Sequence, residues 1–128
     1  ELYYEPTVLT DVEPEMLVNT EESFGPLAPI IAFSDYDEAL ELANRSEYGL
    51  TSSVFTSNIE LMHYFTEHLE MGTTVVNDGS VYWEVHTPLG GYTGTKSGTG
   101  REGGRYTIDA MSQLKTVTVD IANADSPL

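Results

Sequence analysis

The chain has 128 residues, of which 21 are acidic and five basic, so its formal net charge is −16. Because nucleic acids and anionic lipids are bound through basic patches, this balance argues against both as partners. The chain contains no cysteine, no apolar run near 18 residues and no signal-peptide pattern, so we expect a soluble, cytoplasmic protein without disulfides or thiolate zinc sites.

The first part of the chain is predicted to alternate extended segments with helix. Residues 3–12 are rich in Tyr, Thr and Val with an early proline, which favours an edge strand or an extended arm. The apolar residues 29–33 predict a buried strand. Ser34 can cap the helix that follows, whose apolar side chains fall at i, i+3, i+4 and i+7: Tyr36, Ala39, Leu40 and Ala43.

The middle of the chain continues this alternation. Residues 51–56 and 73–77 predict two further strands, separated by a helix that Asn58 caps and Gly72 ends. Strand, helix, strand, helix and strand at this spacing make two βαβ units. We therefore predict an α/β fold with a mostly parallel βαβαβ sheet and right-handed crossovers.

Residues 78–105 lose both helical and strand periodicity. A connection of this length inside a compact domain is typical of a binding loop or a disordered segment. The stretch holds eight glycines, which allow backbone to pack closely on backbone, and several rings that can wall a pocket: Tyr82, Trp83, His86 and Tyr92. The rings favour a binding loop over a flexible linker.

The end of the chain predicts a short helix over residues 106–114 and a strand over residues 115–121. Apolar and polar residues alternate in that strand, so one of its faces is apolar. It can pair with an edge of the same chain, and residues 123–128 are expected to form a flexible tail.

Two carboxylates, a ring and a Gly-Pro corner lie within residues 21–26. Proline fixes its own φ and keeps the preceding residue out of the helical region, so the corner is stiff. A carboxylate such as that of Glu22 can accept hydrogen bonds from two neighbouring ribose hydroxyls, and the ring of Phe24 can lie against a flat heterocycle. Taken alone, the motif is more typical of a plain loop between strands.

The Gly-Pro corner is one of several short motifs along the chain. Glu22-Ser23-Phe24-Gly25-Pro26 resembles the Glu-x-Phe-Gly-Pro motif of the NAD(P)-dependent aldehyde dehydrogenase superfamily. The order of later motifs resembles that family too: Ala43-Asn44-x-x-Glu47-Tyr48-Gly49-Leu50, Ser53-Val54-Phe55-Thr56, Val76-Asn77, Pro88-Leu89-Gly90-Gly91 and Ser97-Gly98-x-Gly100-Arg101-Glu102. The resemblance covers residues 4–119, which correspond to the last quarter of a family member.

The resemblance implies roles for five residues. Glu22 falls where the family's glutamate holds the nicotinamide-side ribose of NAD or NADP, and Phe24 falls where a phenylalanine contacts that ribose or the ring. Leu89 and Trp83 fall along the substrate channel, with Leu89 replacing a usual phenylalanine. Glu102 aligns with a glutamate that relays protons in some members, although an ion pair with Arg101 or Arg105 would explain it equally well.

The family's chemistry needs a cysteine thiolate to attack the aldehyde, and this chain has none. The resemblance therefore implies the C-terminal portion of a catalytic domain (residues 1–112), followed by an oligomerisation strand (residues 113–122) that pairs with a neighbouring subunit. Such a piece would be inactive alone and would require the N-terminal region, an aldehyde substrate and a homo-oligomer. The alternative is a non-catalytic acidic module that mediates oligomerisation or partner binding.

Two other features leave alternatives open. His63 and Glu67 lie at i and i+4 of a predicted helix and could share a metal, but no third ligand is evident, so we assign no metal site. The acidic excess fits either an ordinary solvated surface or adaptation to high salt, in which screening relieves the repulsion between like charges.

Overall fold

The computed structural model describes residues 2–81 and 83–122 and contains four short strands and four helices in these ranges. The order is β1 (Thr7–Leu9), α1 (Leu17–Thr20), β2 (Leu27–Pro29), α2 (Tyr36–Asn44), β3 (Thr51–Val54), α3 (Ile59–His68), β4 (Thr73–Val76) and α4 (Arg105–Met111). None of the four helices has the length and apolar character needed to cross a bilayer.

The strands form two parallel pairs, which confirms the α/β class. β3 pairs with β4 across α3, with Thr51 opposite Thr73 and Val54 opposite Val76, so the second predicted βαβ unit is confirmed. The first unit is built differently. β2 pairs with β1 rather than with β3, and no ladder joins β2 to β3 within the described residues. The sheet is therefore two separate parallel pairs and not one continuous βαβαβ sheet.

The strand predicted over residues 29–33 lies earlier, at Leu27–Pro29. The ladder to β1 extends one residue further, where the Ile30 amide donates to the Leu9 carbonyl at 2.8 Å. Phe33, three residues later, and Ile30 itself are both about half exposed, so this apolar run does not form the buried strand that was predicted. Apolar composition alone misplaced this strand because its partner, β1, sets where the pairing ends.

The two longer helices begin at side-chain caps. Asn58 accepts hydrogen bonds from the amides of Glu60 (2.8 Å) and Leu61 (3.3 Å), as predicted. The cap of α2 is Asp35 and not Ser34: its carboxylate accepts from the Glu38 amide at 2.9 Å. Ser34 instead donates its amide and hydroxyl to the Glu38 carboxylate, at 2.6 and 2.7 Å.

α2 and α3 are joined by side chains. Asn44 at the end of α2 donates to the His68 carbonyl and accepts from the Glu70 amide, both at 2.9 Å, which satisfies backbone groups at the end of α3. Tyr36 and Phe65 meet edge to face, with ring centroids 6.3 Å apart. These contacts place the two helices side by side.

The C-terminal part of the chain departs from the prediction. α4 begins one residue before the predicted helix and ends at Met111, three residues early. Residues 115–121 form no strand with any other described part of this chain, and Val117, Val119 and Ile121 are largely exposed. A strand requires a neighbour that pairs with its amides and carbonyls, and no described edge of this chain provides one. The predicted tail, residues 123–128, lies outside the described residues.

The chain has very little core of its own. Val12 and Leu69 are the apolar side chains that are buried among the described residues. The accessible surface is 10502 Å², whereas a compact monomer of 14.1 kDa exposes about 6,700 Å². The elements are well formed, but the described residues leave many large apolar side chains exposed.

Candidate functional site

The glycine-rich segment folds into an irregular hairpin, residues 85–104, which we call the hairpin. Leu89 and Glu102 lie opposite each other in an antiparallel bridge and exchange two backbone hydrogen bonds, both of 2.8 Å. Leu89 is half-buried and Glu102 is exposed. The structure therefore brings together two of the predicted site residues that are 13 positions apart in the sequence.

The two arms of the hairpin are in close backbone contact. The Gly104 amide donates to the Val85 carbonyl at 3.0 Å, and a Cβ added at Gly103 would lie 2.2 Å from the Thr87 carbonyl oxygen. Gly103 also has a φ of +107°, which side chains rarely adopt. Glycine is therefore required there, as the prediction of close backbone packing implied.

Trp83 precedes the hairpin and is fixed to it. Its indole Nε1 donates to the Thr87 carbonyl at 3.2 Å, and 42% of the side chain is exposed. The indole is therefore oriented by the arm that carries Leu89, and much of its surface faces outward. The neighbouring ring of Tyr82 lies outside the described residues.

An open cavity of about 370 Å³ adjoins the hairpin. It is lined by Leu50, Leu89 and residues 90–91 and 97–102. This lining combines two leucines and four glycines with polar and charged residues, among them Arg101 and Glu102. Such a surface can hold an apolar group beside a few polar contacts.

The expected ion pair of Glu102 is not formed within the described residues. Arg101 instead donates its Nη1 to the carbonyls of Gly91 (2.6 Å) and Gly100 (2.9 Å), so it braces the hairpin. Arg105 lies over the ring of Tyr106, 5.1 Å from its centroid. Because successive residues of an extended segment point to opposite faces, Arg101 is poorly placed to reach Glu102. The carboxylate of Glu102 is left facing outward.

Glu22 and Phe24 lie together on the loop between α1 and β2. Both are exposed, and 94% of the Phe24 side chain is accessible. The loop is tight at its end, where the Leu27 amide donates to the Gly25 carbonyl at 2.8 Å. Gly25 does not use a left-handed conformation, and an added Cβ would make only ordinary contacts, so the stiffness comes from Pro26.

The two groups of predicted site residues are separate in the structure. Among the described residues, no hydrogen bond, ion pair or ring contact joins Glu22 or Phe24 to the hairpin. Within residues 2–81 and 83–122, no group of three His, Asp or Glu side chains is arranged to hold a metal ion. His63 and Glu67 thus have no third partner there.

Two residues to which the sequence analysis assigned no role, Asn77 and Lys96, hold the site's framework. Asn77, at the end of β4, has a φ of 58° and pairs with the backbone of Thr56 through both its amide atoms, each at 2.9 Å. Lys96 in the hairpin forms an ion pair with Glu47 at 2.6 Å, and this hydrogen bond raises the pKa of Lys96. An asparagine directly after a strand was a usable signal for the first contact, whereas nothing local indicated the second.

Parallel strand pairs with connecting helices, and a glycine-built loop that follows the carboxyl end of β4, are features of α/β enzymes, whose ligands bind outside the carboxyl ends of the strands. The particular family follows from comparison. The sequence model of the aldehyde dehydrogenase family matches residues 1–117, and the chain belongs to that family.

Individual relatives agree with this assignment. The chain is 43% identical over 124 residues to the 4-trimethylaminobutyraldehyde dehydrogenase of Homo sapiens, a match that covers 97% of this chain and 24% of the relative. The NAD+ complex of an aldehyde dehydrogenase from Bacillus cereus has a TM-score of 0.85 at 39% identity, over 93% of this chain and 24% of that one.

A third relative is the glyceraldehyde-3-phosphate dehydrogenase GapN of Methanocaldococcus jannaschii, solved with NADP. It has a TM-score of 0.81 at 39% identity, over 89% of this chain and 24% of that one. Structural neighbours thus include complexes with each of the two nicotinamide dinucleotides. In all these matches the chain spans about a quarter of the relative's length.

Proposed function

We propose that this chain is the C-terminal portion of an NAD(P)-dependent aldehyde dehydrogenase, which oxidises an aldehyde to a carboxylic acid. The observation that carries the proposal is the family match over residues 1–117. The exposed surface supports it, because the chain exposes roughly 3,800 Å² more than a compact monomer of its mass and needs further protein to cover its apolar faces.

In this proposal the loop before β2 contacts the cofactor. The carboxylate of Glu22 is exposed and makes no hydrogen bond in the described structure, so it is free to accept two from ribose hydroxyls. The ring of Phe24 is almost fully accessible and can lie against the ribose or the nicotinamide. These two side chains fit the dinucleotide, which supplies the hydride acceptor when it is bound.

The hairpin forms a wall of the substrate channel. Leu89 lines the open cavity, and Trp83, which is bonded to the same arm through the Thr87 carbonyl, adds exposed aromatic surface. Glu102 also lines the cavity and carries the carboxylate proposed to relay a proton. The thiolate nucleophile comes from another part of the enzyme, since this chain contains no cysteine. Residues 1–112 belong to the catalytic domain, and residues 113–122 pair with a neighbouring subunit in a homo-oligomer.

The first test is the coding sequence. It should continue upstream of residue 1 into a region that encodes a cysteine and a nucleotide-binding βαβ unit. A coding sequence that is limited to this chain, with no dehydrogenase activity on mixing with an N-terminal aldehyde dehydrogenase fragment, would refute the proposal and favour the non-catalytic module.

The second test addresses Glu22 in the full-length protein. Glu22→Gln should raise the KM for NAD(P)+ by about tenfold or more, because a hydrogen bond to a charged group contributes about 1.5–3 kcal/mol. Glu21→Gln is the matched control, since Glu21 is also exposed and is adjacent in sequence. Equal effects of the two substitutions would show that net charge, and not a ribose contact, is responsible.

A further inference from the structure

The loop of the hairpin, residues 90–101, is held against the segment that leads into β3. The Lys96 amide donates to the Glu47 carbonyl at 2.7 Å, and its Nζ donates to the Glu47 carboxylate at 2.6 Å. Two further bonds lie beside them: Tyr92 donates its amide to the Gly49 carbonyl at 2.9 Å, and the Gly49 amide donates to Ser97 Oγ at 3.0 Å. These four hydrogen bonds hold the middle of the loop against residues 47–49.

Lys96 supplies the charge in this attachment. The chain has five basic residues, so cations that can neutralise its 21 carboxylates are scarce. Arg45 is engaged on α2 and the loop before α1, with Glu41 and Glu15. Lys96 is the cation that forms an ion pair between the hairpin and the rest of the described chain. A cleft of about 420 Å³ beside it is also lined by Glu70, so without the ammonium group two carboxylates would line one cleft.

The middle of the loop is connected to its base by short backbone contacts. A Cβ at Gly91 would lie 2.5 Å from the Ser97 carbonyl oxygen, and one at Gly90 would lie 2.0 Å from that of Gly100. The loop is therefore closed along its length, down to the bridge between Leu89 and Glu102. A displacement at Lys96 would be transmitted to that bridge because the two backbone segments between them are in close contact.

We propose that Lys96, acting through Glu47, is a positioning residue that fixes the loop of the hairpin and thereby the place of Leu89 in the substrate channel. The inference rests on the proposed function. The hydrogen bond to Glu47 raises the pKa of Lys96 above that of a free lysine, in keeping with a direct contact between the ammonium and the carboxylate. Both partners are mostly exposed (59% and 62%), so salt weakens the attachment by screening it.

The test compares Lys96→Met with Lys96→Arg in the full-length protein. Lys96→Met should raise the KM for the aldehyde by about two- to fivefold, the range expected for an exposed ion pair, with the KM for NAD(P)+ unchanged. Lys96→Arg should restore the KM for the aldehyde. The double variant that exchanges the two charges, Glu47→Lys with Lys96→Glu, should restore it in part. Arg45→Met is the matched control, since it removes the same charge from an ion pair on α2.

The second measurement does not depend on activity. Amide hydrogen exchange by mass spectrometry over residues 88–103 should speed up by a similar factor in Lys96→Met, and in the wild type as NaCl rises. Three results would each overturn the inference while the proposed function stands. They are unchanged hydrogen exchange in Lys96→Met, equal increases in the KM for the aldehyde and for NAD(P)+, and the same effects in Arg45→Met. A wild-type protein that oxidises no aldehyde would refute the proposed function and the inference together.

Discussion

Substituting Gly90 tests whether the hairpin depends on close backbone contact. The Cβ of Gly90→Ala would lie 2.0 Å from the Gly100 carbonyl oxygen, whereas ordinary van der Waals contact begins at 3.4 Å. It would also lie 2.9 Å from Arg101 Nη1. The nearest obstacle is backbone and cannot rotate away, so the two arms must separate next to the bridge between Leu89 and Glu102.

The expected cost combines two terms. Inserting a methyl group into a filled space costs about 1–3 kcal/mol. Separation of the arms also weakens the two bridge hydrogen bonds, each with a net contribution of about 1 kcal/mol. We therefore expect Gly90→Ala to destabilise the hairpin by about 2–4 kcal/mol, which corresponds to at least a 30-fold increase in its open population.

The assay is amide hydrogen exchange at Leu89 and Glu102 in the full-length protein. Gly100→Ala is the control within the same hairpin, because a Cβ there meets nothing within 4 Å and its backbone is not left-handed. Both substitutions reduce the freedom of the unfolded chain equally, so the difference between them isolates the contact. Exchange that is equally fast, or equally slow, in the two variants would refute the reasoning.

Three further predictions concern the framework and the charge. Asn77→Ala should destabilise the protein more than Asn77→Gly, by about 1 kcal/mol in chemical unfolding, because both lose the bonds to Thr56 but only alanine retains the strain of positive φ. Hydrogen bonds from Ser34 lower the pKa of Glu38 below 4.5, so Glu38→Gln should reduce the free energy of unfolding above pH 4.5. The difference in this free energy between the variant and the wild type should shrink as the pH falls through the pKa that Glu38 has in the folded protein. If the charge of −16 reflects adaptation to salt, thermal unfolding should shift upward from low to multimolar NaCl, and a flat response would exclude it.

Part of this architecture was readable from the sequence because the interactions behind it are local. Asn58 caps α3 by accepting hydrogen bonds from the amides two and three residues ahead, and the spacing of apolar residues predicted α2. The glycines of residues 78–105 predicted close backbone packing, which Gly90 and Gly103 show. The order of short motifs was sufficient to predict the family that the comparisons establish.

The choice among near-equivalent partners was decided only by the tertiary structure. Ser34 and Asp35 are both good helix caps, and Asp35 takes the role because Ser34 is bound to the Glu38 carboxylate. Arg101 binds the Gly91 carbonyl across the hairpin rather than its neighbour Glu102, because the fold brings that carbonyl within reach.

The pairing of strands was likewise decided by the tertiary structure and not by local sequence. Apolar alternation predicted extended segments, yet β2 pairs with β1, and residues 115–121 find no partner in the described chain. A strand's conformation is a local property, but its hydrogen bonds need a second segment whose position depends on the whole fold. The sequence by itself therefore determined helices α2 and α3, strands β3 and β4, and the family. The contacts between Leu89 and Glu102 and between Lys96 and Glu47 were decided by residues far apart in the chain.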